Sequence, residues 1–167
     1  MTLLIGLCIA TCATCISSVA LAQSWPDKTV KVIVPYAPGG GVDPVARLVS
    51  QKLADIWKQS VVVENKAGGS GTIGANFVAH SPSDGLTILM SATAEVVINQ
   101  HFMQKMSYNP DVDLKPVTLL VKLPFVLVTN PSKPYSNAAE LIAYAKKNPN
   151  TVTYASSGPG TPQHLAA

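Results

Sequence analysis

Apolar residues recur along this chain in short β-branched runs separated by longer stretches with helical spacing. The first run, Val30, Val32, Ile33 and Val34, is closed by Pro35 and Pro38, which cannot continue a ladder strand. Gly39-Gly40-Gly41 follows, and Val45, Leu48, Val49, Leu53 and Ile56 then repeat at the spacing of one helix face. Asp43 before Pro44 reads as an N-cap with proline at the first helical position. Lys58-Gln59-Ser60 ends this helix, and residues 61–64 supply a second strand. A flexible turn over residues 65–71 leads into an apolar helical stretch from residue 72 to about residue 80. Ser81-Pro82-Ser83-Asp84-Gly85 then turns the chain into a third strand over residues 86–90. Three strand–helix repeats in this order predict an α/β fold: a parallel sheet with right-handed crossovers, flanked by helices on both faces.

Ser91-Ala92-Thr93 closes the third strand, a helix is predicted from residue 94 to about residue 103, and residues 107–115 read as a polar surface loop. Two apolar runs, residues 116–121 and 125–129, are broken at Pro124. They carry the chain from a first α/β domain, residues 23–123, into a second, residues 124–167. In the second domain Asn137 and Glu140 form a capping box, Leu141, Ile142 and Ala145 face inward, and Pro149 ends the helix. A short strand over residues 152–154 runs into Ser156-Ser157-Gly158-Pro159-Gly160, after which Thr161-Pro162 repeats the cap-plus-proline device. That last helix stops at Ala167 with no C-cap glycine, so the sequence reads as cut off at the start of its second α/β domain.

The chemistry concentrates where the first strand meets its helix. A glycine loop followed by a helix N-terminus presents N–H groups and the positive end of a dipole to an anion. Composition adds little to this. The 167 residues are 13% charged, and twelve basic side chains against nine acidic ones, a net charge of +3, do not suggest a nucleic-acid partner. Address is more informative. Residues 3–22 hold no charged side chain, and Ala20-Leu21-Ala22 before Gln23 is a small-x-small cleavage pattern. Residues 1–22 therefore read as a signal peptide cleaved after Ala22, with a periplasmic destination, although no Lys or Arg precedes the apolar core. Thr11, Thr14, Ser17 and Ser18 dilute the segment against a membrane anchor. Cys8, Cys12 and Cys15 all fall inside it, so cleavage leaves no thiol nucleophile, disulfide or cysteine metal ligand.

The residues also carry a resemblance. Trp25-Pro26-Asp27-Lys28, the run from Val34-Pro35-Tyr36 through Gly39-Gly40-Gly41 to Asp43, and Arg47 resemble the signature of the extracytoplasmic solute receptors of tripartite tricarboxylate transporters, the Bug receptors. The likeness continues through Val63-Glu64-Asn65-Lys66, Gly71-Thr72-Ile73-Gly74, Asp84-Gly85, Pro116-Val117-Thr118-Leu119, Glu140-Leu141, Tyr154-Ala155-Ser156-Ser157-Gly158, Gly160-Thr161 and His164-Leu165. It implies a fold of the periplasmic binding protein type in which two domains close on a small organic anion, usually a carboxylate, and deliver it to membrane permease subunits. Family members are roughly twice as long, so the resemblance is to the amino-terminal half only and implies a truncated receptor. It places ligand contacts at Ala37, Gly39, Gly40 and Asp43, with Ser91 and Thr93 nearby, and across the cleft at Ser156, Ser157, Gly160, Thr161 and His164. It implies no catalytic residue, cofactor or metal.

Two other readings stay open. Gly69-Ser70-Gly71-Thr72-Ile73-Gly74 matches the G-x-G-x-x-G of dinucleotide-binding loops, with Glu95 near the spacing of a ribose-binding acid, which would make the chain a nucleotide-linked oxidoreductase. The chain could also be a receptor-gene remnant without function. Ser156 or Ser157 with His164 lacks the G-x-S-x-G elbow of a hydrolase, and His80 and His101 have no partner at metal-ligand spacing.

Overall fold

The computed structural model describes residues 25–167, so the signal peptide, its cleavage site and the three cysteines lie outside the described residues. Strand β1 (Val30–Val34) is the centre of a three-stranded sheet and pairs in parallel with β2 (Val61–Asn65) and β3 (Thr87–Leu89), in the order β2-β1-β3. Val30 lies opposite Val61 and Ile33 opposite Glu64, while on the other side Lys31 lies opposite Thr87 and Ile33 opposite Leu89. Every β1 residue except Lys31 is buried, which is why its sequence is a run of β-branched residues rather than an alternation. The predicted parallel sheet is thus present, with helices α1 (Val42–Trp57) and α2 (Thr72–Ala79) as its crossovers.

Helix α1 rests on the sheet with Ala46 packed into the cluster of Val32 and Val34 and Val42 against it, while Ser50 is buried and Val49 and Leu53 are half-buried. The face predicted from apolar spacing was turned. Leu48 and Ile56 are 61% and 72% exposed, because the small Ala46 and Ser50 permit the close approach to β1 and set the helix's rotation. Helix α2 approaches more closely still, since a Cβ on Gly74 would lie 2.8 Å from Pro35 Cβ and 2.9 Å from Pro35 Cα. Trp25 anchors the start of the described chain: its Nε1 donates to the Asp84 carbonyl oxygen at 3.1 Å and its ring meets Trp57 edge-on at 5.1 Å.

Beyond β3 the predicted helix over residues 94–103 is split into a π-helical turn, Ala94–Ile98, and helix α3 (Asn99–Phe102). The loop predicted over residues 107–115 contains a one-turn helix, α4 (Pro110–Asp113), because the Asn109 side chain accepts from Asp111 N and Pro110 takes the first helical position. The apolar runs at residues 116–121 and 125–129 are exposed and form no strand, and none forms at residues 152–154. A strand needs a neighbour to fill its ladder, and among the described residues none supplies one. Helix α5 (Ala138–Lys147) does carry the Asn137 cap, which accepts from Glu140 N at 3.0 Å. Glu140 reaches back to Ser136 N and Oγ, one residue earlier than a capping box requires. Ile142, expected to face inward, is exposed, and no residue of α5 is fully buried.

Gly74→Val would force α2 off the backbone of Pro35. It should cost about 1–3 kcal/mol of overpacking and lower the thermal midpoint; an unchanged midpoint would show that α2 can slide on β1.

Candidate functional site

Parallel pairing sends the carboxyl ends of all three strands to one edge, where open α/β sheets hold ligands. The loops after β1 (residues 35–41), β2 (residues 66–71) and β3 (residues 90–93) form one wall of a cleft of about 1200 Å³. Residues 118–123, Phe125 and the loop at residues 157–163 face it from the other side. Much of the lining is apolar, including Val42, Val45, Leu89, Met90 and Leu123, and Lys122 is the one charged side chain among the described lining residues.

Of the residues singled out from sequence, Ala37, Gly40, Ser91, Thr93, Ser157 and Thr161 line this cleft, whereas Gly39, Asp43, Ser156, Gly160 and His164 do not. Asp43 is the clearest correction. Helix α1 begins two residues earlier than expected, at Val42 with Gly41 at the cap, and the Asp43 side chain turns inward from the first turn to 5% exposure. Its Oδ2 accepts from Gly39 N and Arg47 Nε, both at 3.1 Å, and its Oδ1 accepts from Arg47 Nη2 at 3.0 Å and Asn65 Nδ2 at 2.9 Å. Asn65 Nδ2 also donates to the Tyr36 carbonyl at 3.0 Å. A carboxylate with four donors builds the loop and has no capacity left for a ligand.

The same network takes up the Gly39 amide, and the Gly40 amide donates to the Ala37 carbonyl at 3.3 Å. Gly39 has φ +81°, the left-handed conformation that the turn requires and that favours glycine. At the mouth of α1 the N–H groups of Gly41 and Val42 have no hydrogen-bond partner among the described residues. The open amides therefore sit just after Gly39 and Gly40, the glycines picked from sequence.

The opposing loop is built as predicted at its helix start. Thr161 caps helix α6 (Pro162–Ala166), accepting from His164 N at 3.4 Å while its hydroxyl donates to the Gly158 carbonyl at 2.6 Å. Other polar groups are likewise satisfied within the loop. Ser157 Oγ donates to Gln163 Oε1 at 3.1 Å, and the Gly160 amide points at His164 Nδ1 at 3.4 Å. His164 is folded back on its own turn and meets Phe102 edge-on at 6.2 Å. The two walls touch where Ser70 Oγ donates to the Pro159 carbonyl at 2.6 Å.

Three participants escaped the sequence reading: Tyr36, which lines the cleft, Lys122, and Glu95 in a structural role. Glu95 is fully buried, its Oε2 accepting from Tyr36 Oη and its Oε1 from Ala92 N, both at 2.6 Å. Burial pushes its carboxyl pKa up, and burial together with the Glu95 charge pushes the Tyr36 phenol far up and the Tyr108 phenol up to about 12. An acid enclosed in this way cannot reach a ribose, which removes the partner that the dinucleotide reading of residues 69–74 requires.

An α/β sheet with a ligand-sized cleft across its strand ends is the architecture of a solute-binding domain. Residues 45–167 match the tripartite tricarboxylate transporter family receptor. The chain is 39% identical over 145 residues to the UPF0065 protein of the tcbD-tcbE intergenic region of Pseudomonas sp. strain P51, covering 87% of this chain and 43% of that one. It is 37% identical to Protein BugT of Bordetella pertussis, covering 96% and 49%. Among solved structures it superimposes on R. palustris Rpa4515 with adipate at a TM-score of 0.77 and 34% identity, covering 82% of this chain and 46% of that one. MatC from Rhodopseudomonas palustris with bound malate matches at a TM-score of 0.68 and 34% identity, covering 73% and 42%. The chain belongs to the tripartite tricarboxylate transporter receptor family, and it spans about half the length of the curated relatives it matches.

Asp43 gives the site a pH signature. Its hydrogen bonds from Arg47, Asn65 and the Gly39 amide hold its pKa at about 2 against an ordinary 3.8. A lowered value means stability present above the ordinary pKa and lost as pH falls toward the lowered one. Denaturant midpoints of wild type and Asp43→Asn should differ at pH 6 and converge between pH 3.8 and about 2; a gap that does not change with pH would contradict the network.

Proposed function

We propose that this chain is the amino-terminal half of a periplasmic solute receptor that captures a small organic anion, a carboxylate, and presents it to the permease subunits of a tripartite transporter. The observation that carries this reading is the mouth of α1, where the Gly41 and Val42 amides and the helix dipole stand at a cleft whose described lining holds no acidic side chain and one cation, Lys122. Solved relatives carrying adipate and malate support the ligand class. In this reading residues 23–123 form the first domain and residues 124–167 begin the second. Residues 1–22 are the export signal, cleaved after Ala22, and the chain binds without catalysing.

The mechanism is closure. Backbone amides of the first wall and the hydroxyls of Ser91 and Thr93 take the carboxylate, while the loop at residues 156–164 approaches from the opposite side. An anion that touches both walls only when they are close binds that state better and shifts the population toward it. Isothermal calorimetry with adipate and malate tests this. Gly40 lines the cleft in a conformation open to any residue, so Gly40→Val adds bulk without backbone strain. It should weaken binding by about tenfold or more, or about 1.4 kcal/mol; equal affinities in wild type and variant would rule out the glycine loop as the anion site.

A further inference from the structure

We propose that Glu95 is a positioning residue that holds the three loops of the first cleft wall in a single arrangement; this rests on reading the cleft as an anion site. Glu95 does not line the cleft itself. It sits at the start of the π-helical turn behind the wall, and each loop of that wall meets its carboxylate. From the loop after β1, Tyr36 Oη donates to Oε2 at 2.6 Å. From the loop after β3, Ala92 N donates to Oε1 at 2.6 Å. The loop after β2 closes on it with a bare α-carbon: Gly71 has φ +90°, and a Cβ there would lie 2.8 Å from Oε2.

The same helical segment adds a second hold. Asn99, four residues after Glu95, donates through Nδ2 to the Ser70 carbonyl at 3.0 Å, in the loop that Gly71 closes. From behind, Tyr108 Oη donates to the Glu95 carbonyl at 2.6 Å and keeps the π-turn in place. The titratable groups facing the carboxylate are these two phenols. Two donors from different loops can be satisfied together by one side chain only in one loop geometry. Tyr36, Gly71 and Ala92 all line the cleft, so displacement of the clasp displaces the surface a ligand meets.

Amide hydrogen exchange and calorimetry with adipate and malate on the full chain test this. Glu95→Ala should speed exchange at residues 36–41, 68–71 and 91–93, and weaken binding, each by about tenfold, the size of one lost hydrogen bond. The β1 amides should be unaffected. Glu95→Gln can still accept from Ala92 N and donate to Tyr36 Oη, so it should recover both properties. Tyr36→Phe should loosen residues 36–41 alone, and it decides the matter if Glu95→Ala does not fold. Unchanged loop exchange in Glu95→Ala or Tyr36→Phe, or a rise shared equally by β1, would overturn the proposal. If wild type binds neither acid, the anion reading fails while the exchange data still decide the clasp.

Discussion

The parallel pairing of β1 with both its neighbours is the constraint from which the rest follows. Parallel strands put every carboxyl end on one edge, so the three loops that leave the sheet have no choice but to share a wall. The single exposed position of β1 helps fix the register, since a slip of one residue would carry the Lys31 ammonium into a buried position. Close approach of α2 to Pro35 then sets where the first loop turns, and with it the mouth of α1.

Two buried carboxylates organise that wall in opposite electrostatic ways. Asp43 has a cationic partner, Arg47, and further donors, which favour its charged form and hold its pKa low. Glu95 has two neutral donors and no cation, so burial dominates and its pKa rises. The first therefore contributes stability at neutral pH. The second contributes fully only below the ordinary carboxyl range and loses that contribution as pH rises through its raised value.

The parallel sheet and its two crossover helices were legible because β-branched runs, glycine turns and helical spacing agree at each step. Cap chemistry was legible where one residue decides it, as at Asn137 and Thr161. What sequence could not give was the partner of each polar group. Asp43 before Pro44 has the pattern of a cap, yet Arg47 and Asn65 outcompete the helix N-terminus for its oxygens. Glu95 was noticed for its distance along the chain from a glycine motif, while its real neighbours, Tyr36 and Ala92, lie on two different loops that only the fold brings together. The face of α1 was misjudged at Leu48 and Ile56 because apolar spacing ignores the small residues that let a helix approach a strand. The apolar runs at residues 116–129 show the same limit: apolar sequence forms a strand only where another strand offers a ladder.

The most direct test of the account is where an anion sits. Backbone amide chemical shifts of the isotope-labelled chain, followed during titration with adipate, locate it residue by residue. The account predicts the largest changes at Gly41 and Val42, whose amides are left open at the mouth of α1, and at Ser91 and Thr93 beside it. Changes centred elsewhere, with these amides unmoved at saturating ligand, would contradict it.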